Sequence, residues 1–593
     1  MEPQDDSIDW RVVTLVFAIT AVVLVARAFG TAASVPLFND TDDAMRLVEV
    51  RDLLAGQGWF DTTQHRLNAP FGASIHWSRL IDAPLAGLML LFSPLNIPFG
   101  TGTAEIVAAY VWPLLLLLGA LVASAGLAVR LGGREALLPG VLLPAFSLVT
   151  LTEFVPGRID HHSAQIVLTL AMAWCALSAT RRPLLAIAAG LAAATALAIG
   201  AESLPAVAAV IFAFGVGWIA DARFARALAL FGLSFAAATL AHFLIAVPAD
   251  RWLVPACDAI SIVYVVAATV AGLGLVLCAA LPLGARAAWQ RLAAGLVIGG
   301  GIAIGLALMF PDCLRGPYAE LDPWLLRNWI DQIEEAKPLW AALPAAPAFL
   351  VAALLPVALA LLTGLWHALR ADGRRSVWLI YLGFLALTAL VMLLQVRGAR
   401  LALPLALPGV AVAIASLRAA YLRKSILAGV GLLLAWFAGS GLAVGLTVNA
   451  LVPPAASTAE ASGALPLSTC RMPQSYAALA ALPAARVISL IDLGAHVLAF
   501  TPHAVVGAPY HRNIDGISDN FAFFNATAVD AQAIAARRQV GLVVICPGMP
   551  ELRGLPDTAA DALVRQFVEG RSPDWLQRIE APGPLVIYRV TDR

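Results

Sequence analysis

Acidic residues and histidines gather in a few short polar segments of an otherwise apolar sequence. The first segment, 39–43, reads N-D-T-D-D and precedes a helical pattern over 44–54 that ends at Gly56. Asp40 or Thr41 would suit the N-cap of that helix, where acidic side chains also favour the helix dipole. The alternative interpretation is that Asp42 or Asp43 performs chemistry at this helix start.

The second polar segment, 157–165, reads G-R-I-D-H-H-S-A-Q and lies between two apolar runs. Asp160 and His162 are close enough in sequence for a carboxylate and an imidazole to converge on one divalent cation. Oxygen ligands favour Mg²⁺ or Mn²⁺, and imidazole is tolerated. The alternative is a capped helix start with the histidines as interfacial side chains.

The third segment, 329–338, reads W-I-D-Q-I-E-E-A-K-P, and its simplest interpretation is a solvated acidic face. Glu202, Arg397 and Arg400 lie at the outer ends of predicted membrane spans. The two arginines interrupt an otherwise one-sided arginine distribution, which predicts an anionic partner such as a phosphate or a carboxylate. The alternative for Arg400 is a side chain that snorkels to the membrane interface.

Membrane-spanning helices must position these segments. Hydrophobic residues make up 60% of the 593 residues and charged residues 13%, about half the charged share of a soluble protein. Apolar runs of about 20 residues each suffice to cross a bilayer as a helix. About thirteen spans are predicted, at 12–33, 104–129, 136–152, 163–179, 184–200, 203–220, 227–247, 259–282, 292–311, 345–366, 377–396, 401–417 and 426–449. A shorter apolar piece at 83–94 predicts an interfacial or re-entrant segment.

Basic residues predict the orientation of these spans. They fall in alternate connections: Arg130 and Arg134; Arg181 and Arg182; Arg223 and Arg226; Arg286 and Arg291; Arg370, Arg374 and Arg375; Arg418, Arg423 and Lys424. Positive charge accumulates on the cytoplasmic side, so we expect a cytoplasmic N-terminus and an external C-terminus in a bacterial inner membrane. The run at 12–33 follows an acidic leader and predicts an uncleaved span rather than a signal peptide. No basic stretch indicates nucleic acid.

The polar segments then lie outside, in the loops 34–103 and 312–344 and beside a tail of different composition. Pro453–Pro454 and a linker of small residues lead into strand-like runs at 487–492 and 540–546. The sequence therefore predicts a transmembrane domain over 1–450, with the external loops, and an extracytoplasmic α/β domain over 451–593 with its own core.

Four cysteines lie in the predicted external segments. An oxidising compartment would permit the disulfides Cys257–Cys313 and Cys470–Cys546. Free buried thiols are the alternative.

The order of these features resembles the catalytic subunit of oligosaccharyltransferase, a glycosyltransferase of the GT-C fold. The likeness covers the topology of nearly the whole chain and short motifs within it. Asp42 or Asp43 matches the first-loop aspartate of that family, and Asp160 with His162 matches an acidic pair in which histidine replaces a carboxylate. The stretch 332–335 reads like T-I-x-E with Glu335 as its glutamate. Arg397 resembles the arginine that contacts the lipid-linked donor.

The resemblance implies transfer of a sugar or oligosaccharide from a polyprenyl-phosphate or polyprenyl-diphosphate donor to an extracytoplasmic lipid, glycan or protein. It implies a Mn²⁺ or Mg²⁺ ion held by Asp42, Asp160 and His162. Asp42 or Asp43 would accept the proton of the acceptor, and Glu335 would position the acceptor or add a ligand. Arg397, Arg400 and Glu202 would bind substrate.

Two departures from that family concern the acceptor. The block W-W-D-Y-G, which reads the hydroxyl of an asparagine acceptor site, is replaced by L-I-D-L-G at 490–494, and Gln332 stands for the threonine of T-I-x-E. The resemblance therefore implies an acceptor other than asparagine. The polar segment 503–520, with His511, Arg512 and Asp519, predicts an acceptor groove or a surface loop.

A transporter or flippase of a lipid-linked glycan is the main alternative, and it would place polar or broken segments near the bilayer midplane. The ionisable residues instead lie at outer helix ends, which favours an enzyme. A polymerase or ligase of lipid-linked glycans with another fold would share the donor but need not use a cation.

Overall fold

The computed structural model describes residues 7–283, 288–316, 318, 321–370, 374–452, 466–555 and 558–591. The predicted linker at Pro453–Pro454 and the loop residue Arg286 lie outside these described residues. The described chain is a bundle of apolar helices with a small mixed sheet at one end.

Helices dominate because a helix satisfies all of its own backbone groups inside an apolar environment. The first half of the bundle contains α1 (Trp10–Thr31), α2 (Thr41–Leu54), α3 (Arg79–Phe92), α4 (Asn96–Phe99), α5 (Thr103–Gly132), α6 (Leu137–Phe146), α7 (Leu148–Leu151), α8 (His162–Ser178) and α9 (Leu185–Ile199). Between α2 and α3 the chain forms a short antiparallel hairpin of β1 (Thr63–Gln64) and β2 (Ala73–Ser74).

The second half of the bundle contains α10 (Leu204–Ala220), α11 (Ala225–Ala246), α12 (Ile262–Ala280), α13 (Ala288–Met309), α14 (Pro323–Asn328), α15 (Pro347–Leu369), α16 (Arg375–Leu394), α17 (Ala399–Leu422), α18 (Ile426–Gly439) and α19 (Gly441–Leu451). Among the candidate membrane spans of the described chain, α17 is the most enclosed, since 78% of the residues in its most apolar stretch are buried inside the bundle.

Ten helices of the described chain are long and apolar enough to cross a membrane, or twelve when each bent pair counts as one span. The ten include the stretch Arg79–Phe99, where the sequence predicted only an interfacial segment. The thirteen predicted spans also counted α8 and α9, which are apolar but only 17 and 15 residues long. Helix α8 is short because the polar segment before it replaces its first turns.

Two spans are broken by a capping serine. Helices α6 and α7 meet at an angle of 68°, and α18 and α19 at 85°. Ser147 starts α7 by accepting the N–H of Thr150, and Ser440 starts α19 by accepting the N–H of Ala443. A side chain that offers an alternative acceptor lets the chain turn without leaving that N–H unpaired.

The tail forms a five-stranded mixed sheet with short helices. Its elements are α20 (Leu467–Arg471), α21 (Ala477–Ala480), β3 (Arg486–Ser489), α22 (Gly494–Phe500), β4 (Ala504–Val505), α23 (Ile514–Asn525), α24 (Ala528–Arg538), β5 (Leu542–Ile545), α25 (Leu563–Val568), β6 (Leu576–Ile579) and β7 (Val586–Val590). The strand order is β4-β3-β5-β7-β6, with β3 parallel to both neighbours and β7 antiparallel to both of its own.

The core of this sheet includes side chains from the first external segment, the predicted external loop 34–103. Met45, Val48 and Leu67 belong to the same buried apolar cluster as Val487 and Val543. The backbone of 66–68 also pairs with β4, through bonds of 2.8 Å on both sides of Val505. The sequence predicted a core of the tail alone, but the structure shows a core shared across 400 residues of sequence because α2 packs on α22.

Both predicted disulfides are confirmed. Cys257 is bonded to Cys313 across the ends of α12 and α13, and Cys470 is bonded to Cys546 within the tail. Cys175 and Cys278 are free thiols within helices.

Candidate active site

Helix α2 brings the first acidic segment against the loop that precedes α8. Asp40 is the N-cap of α2, and its Oδ1 accepts the N–H of Asp42 at 3.0 Å. The capping interpretation therefore holds for Asp40, and Thr41 is the first residue of the helix.

The two loops meet at Gly157. Its φ of +95° lies in the left-handed region, which glycine adopts without a steric penalty. A Cβ atom at this position would lie 1.8 Å from the carbonyl oxygen of Leu37. Only glycine allows this approach, which sets residues 158–162 beside the start of α2.

Asp43 joins the two loops. Its Oδ1 accepts the N–H groups of Ile159 at 2.8 Å and Asp160 at 3.0 Å, and its Oδ2 lies 3.1 Å from Nη1 of Arg158. The side chain is buried, so these bonds replace its hydration. Asp43 therefore holds the loop before α8 against the start of α2, whereas Asp42 lies beside the buried side chain of Tyr510.

Arg158 is the centre of the carboxylate group, and the sequence reasoning assigned it no role. Its guanidinium lies 3.0 Å from Asp40, 3.1 Å from Asp43, 3.0 Å from Glu153 and 2.6 Å from Asp160. Without the positive charge of the guanidinium, the four carboxylates would repel one another strongly at this range. The only sequence signal was a single arginine beside the acidic residue and histidines of the second polar segment.

Asp42 and Asp160 differ in their pKa values. Burial raises the pKa of Asp42 to about 8, and the neighbouring charge of Asp40 adds to this rise. Burial would also raise the pKa of Asp160, but the charges of Arg158 and His162 hold it below its usual range. The site therefore pairs one carboxyl group that binds a proton near neutral pH with one that stays ionised.

His161, His162 and Glu202 are the one group of potential metal ligands within the described ranges whose donor atoms all lie within 4.8 Å of one another. The Oε2 atom of Glu202 lies 3.3 Å from Nε2 of His161 and 3.6 Å from Nδ1 of His162. Nδ1 of His161 is buried without a hydrogen-bond partner. This set differs from the predicted set of Asp42, Asp160 and His162, because the turn at 201–203 before α10 places Glu202 over the two imidazoles.

Arg400 links this group to the third polar segment. Its Nη1 lies 3.1 Å from Nε2 of His162, its Nε donates to Glu153 at 2.9 Å, and its Nη2 lies 3.0 Å from Glu335. The structure thus brings the predicted residues Arg400, Glu335 and His162 together. Arg400 is held by three partners and does not snorkel.

A first cavity of about 400 Å³ ends at this arginine. Its polar end carries Arg397, Arg400, Glu153 and Glu335. Its apolar walls come from α15 and from the second halves of both broken spans, with residues Leu148, Val149, Thr152, Ala348, Phe349, Ala352, Val396, Ala399, Gly441, Gly445, Leu446 and Asn449. Arg397 lines the cavity and donates from Nε to the side chain of Gln395 at 2.9 Å.

A second cavity, of about 630 Å³, lies between the first external segment, the loop 246–261 and the tail. Asp258 accepts from Nε and Nη2 of Arg512 and from His511, each at 2.7 Å. The sequence reasoning missed Asp258 and gave His511 and Arg512 only as members of a polar segment. Asp519 of the same segment instead pairs with Arg537 and Arg538.

No protein-family model matches this sequence, and no curated protein is similar to it in sequence. Similar structures exist among solved proteins. The archaeal oligosaccharyltransferase AglB from Archaeoglobus fulgidus, in complex with an inhibitory peptide and a dolichol-phosphate, aligns with a TM-score of 0.65 at 14% identity over 90% of this chain and 69% of that chain.

Two further structures of the Archaeoglobus fulgidus oligosaccharyltransferase align similarly. The complex with Zn and sulfate has a TM-score of 0.59 at 15% identity over 90% of this chain and 68% of that chain. The form tethered to an acceptor peptide with the NVT sequon has a TM-score of 0.60 at 14% identity over 90% and 69%.

The fold and the arrangement of polar loops define a polytopic membrane protein of the GT-C fold with a C-terminal sheet region, as the sequence predicted. Within that fold, the chain is similar in architecture to the archaeal oligosaccharyltransferase.

Proposed function

We propose that this chain is a membrane glycosyltransferase that moves a sugar or oligosaccharide from a polyprenyl-phosphate or polyprenyl-diphosphate donor to an extracytoplasmic acceptor. One observation carries the proposal. A cavity with apolar helix walls ends on Arg397 and Arg400, and Arg400 contacts His162 of the candidate metal group.

The cavity suits a lipid-linked phosphate. Leu148 and Leu446 line it and are both exposed, so the cavity presents an apolar surface that an isoprenoid chain can occupy. Guanidinium groups bind phosphate with charge-assisted hydrogen bonds. The similar archaeal enzyme was solved with a dolichol-phosphate, which supports the same ligand class here.

The residues around His162, where the arginine end of the first cavity meets the candidate metal group, fit a divalent cation. His161, His162 and Glu202 converge, His161 has an unpartnered buried nitrogen, and Asp160, which stays ionised, adds negative charge beside them. Two imidazoles and a carboxylate suit Mn²⁺ or Zn²⁺ better than the Mg²⁺ also predicted from sequence. A bound cation would neutralise charge on the departing phosphate. The Zn complex of the similar enzyme supports this assignment.

The transfer gives a role to each of four site residues: Asp42, Arg397, Glu335 and Arg400. The bond between the sugar C1 and the phosphate oxygen breaks, a bond from C1 to the acceptor oxygen forms, and the acceptor proton passes to Asp42. Because burial raises the pKa of Asp42 to about 8, its ionised form is a stronger base than an ordinary carboxylate and becomes more populated as the pH rises toward 8. Arg397 holds the departing phosphate, and Glu335 keeps Arg400 in place at 3.0 Å.

The proposed orientation places this site outside the bacterial inner membrane, with the N-terminus in the cytoplasm and the residues beyond 451 as a periplasmic domain. The helix bundle of 1–450 supplies the catalytic part. Arg418 pairs with Glu135 near the C-terminal end of α17, whereas Arg397 and Arg400 flank its start. The loops rich in arginine and the acidic site thus lie at opposite helix ends, which supports this orientation.

The test is transfer of radiolabelled sugar from a membrane polyprenyl-lipid fraction by the purified full-length protein, with EDTA, Asp160→Ala and Arg397→Ala. Arg418→Ala is the matched control, since it removes an arginine from the other end of the same helix. We expect transfer that needs Mn²⁺ or Zn²⁺ and is lost in the first two variants only.

Two results would overturn this proposal. Movement of the lipid-linked glycan across vesicles without cleavage would indicate the flippase alternative. Transfer that is indifferent to EDTA and to Asp160→Ala would remove the proposed site.

A further inference from the structure

We infer that the second cavity binds the sugar rings of a glycan acceptor, so that the chain extends a carbohydrate rather than modifying a peptide. This inference rests on the proposed function and names the acceptor class of the same site.

The second cavity reaches the metal group at His161. Gly200 lines it, and a Cβ at Gly200 would lie 3.3 Å from Nε2 of Gln165 and 3.6 Å from Cδ2 of His161. Trp77 also lines it, and its ring lies 5.7 Å from the ring of His161. A ligand on this floor lies beside His161, whereas the arginine end of the first cavity contacts His162. The two cavities therefore meet at adjacent residues, as a donor and an acceptor must.

The polar wall of the second cavity is fixed before any ligand binds. Arg512 grips Asp258 with two bonds of 2.7 Å, His511 adds a third, and Nη1 of Arg512 donates to Ser74 at 3.2 Å. Carboxylate oxygens have further lone pairs, and a sugar hydroxyl is both a donor and an acceptor. Donors and acceptors that are already held in place suit the closely spaced hydroxyl groups of a sugar.

The remaining walls supply ring faces. Phe60 lines the cavity and is 49% exposed, although no buried apolar cluster of the described chain requires it there. The rings of His76 and His511, which also line the cavity, lie 4.7 Å apart. The C–H face of a sugar ring packs on an aromatic face, and the electron-rich ring attracts it.

A peptide acceptor is less well served by this surface. The edge of the sheet at β4 is already paired with residues 66–68, so this edge cannot add a peptide strand.

The experiment measures binding of soluble hexasaccharides of glucose, mannose and arabinofuranose to the full-length protein without donor, and then the acceptor KM in transfer. The variants are Phe60→Ala and Arg512→Gln. Phe71→Ala and Arg537→Gln are matched controls, because Phe71 is exposed on the same external segment and Arg537 pairs with Asp519 away from both cavities.

We expect at least one hexasaccharide to bind, and Phe60→Ala to raise its Kd and the acceptor KM about tenfold. The donor KM and kcat should stay unchanged, and the controls should behave as the parent protein. Phe60→Ala removes an exposed ring, so its folding is not at risk if Arg512→Gln fails to fold.

The outcomes separate the two proposals. Transfer to an Asn-Val-Thr peptide, or transfer to glycan with an acceptor KM insensitive to Phe60→Ala, overturns this inference and leaves the glycosyltransferase intact. Hexasaccharide binding that Phe60→Ala weakens, without transfer from any lipid donor, supports the glycan site and overturns the proposed function.

Discussion

The two external segments that frame the candidate site are built in opposite ways. In the first, Asp43, Arg46 and Glu49 are each at most 2% exposed, and Arg46 also lies 4.2 Å from the centre of the Trp77 ring. The described residues of the second, 311–316, 318 and 321–346, form one six-residue helix, α14, and several single turns. Its Glu335 is 40% exposed, and Glu334 is 80% exposed.

The difference shows that charge serves two purposes in this protein. Buried ion pairs in the first segment fix α2 and α3 to each other, since each buried charge needs its partner. The second segment is held by a small apolar cluster of Leu325, Ile330 and Ile517 and by the pair of Glu335 with Arg400. Few buried contacts predict that it opens locally at low cost, which would let a substrate pass.

The largest expected effect comes from removing the central cation of the first segment. Arg79 lies 3.1 Å from Glu49 and 3.0 Å from Asp82, and Arg79→Met leaves Glu49 buried without its nearest cation. We expect the free energy of unfolding to fall by about 3–5 kcal/mol. The measurement is the midpoint of thermal unfolding in nanodiscs, and an unchanged midpoint would show that this network is not structural.

The next prediction separates the two adjacent aspartates of the first segment. Asp42→Asn should lower transfer about a hundredfold with the unfolding midpoint unchanged, because it removes a base. Asp43→Asn should lower the midpoint, because its amide would face the guanidinium of Arg158 or the N–H groups of Ile159 and Asp160. The reverse assignment of the two phenotypes would exchange their roles.

A smaller change in stability tests the contact between the tail and the first external segment. His496 is buried and bonded through Nε2 to the carbonyl of Phe38 at 3.1 Å, and burial lowers its pKa to about 4. The unfolded state, with a pKa of about 6.5, therefore binds more protons between these values, so stability is full above pH 6.5 and is lost as pH falls toward 4. We expect the protein to be about 2 kcal/mol less stable at pH 5 than at pH 7.5 from this residue alone.

His496→Gln is the matched variant for this pH effect, because its amide still donates to Phe38 but does not titrate. The loss between pH 7.5 and pH 5 should shrink in this variant. An equal loss in both proteins would assign the effect to other groups.

The smallest expected change in stability comes from an ion pair in the second external segment, 311–346. Lys337 lies 2.7 Å from Glu334, but this pair is exposed. Lys337→Ala should change the free energy of unfolding by less than about 1 kcal/mol. A loss as large as that of Arg79→Met would mean that the two segments are built alike.

The fold and both disulfides could be predicted from the sequence because their signals are local or depend on orientation alone. Apolar runs give helices, and arginine distribution places Cys257 and Cys313 on one side. Local capping also identified Asp40 as a possible N-cap, which the structure confirms.

The ligand group and the second cavity could not be predicted, because they depend on packing between distant segments. Glu202 reaches His161 through the packing of α8, α9 and α10, and Asp258 meets Arg512 across 254 residues of sequence. A buried arginine such as Arg46 also has the same local pattern as one on a solvated helix. Three-dimensional contact alone separates these cases.

The two disulfides imply an order of maturation. The bond between Cys257 and Cys313 encloses only α12, α13 and their connection, so it can close once this hairpin is inserted. The bond between Cys470 and Cys546 requires export of most of the tail. In the proposed orientation, a cell unable to oxidise exported thiols would accumulate a chain that is inserted but lacks both cross-links. The loops that flank the second cavity would then lack their disulfide bonds, although the helix bundle would be complete.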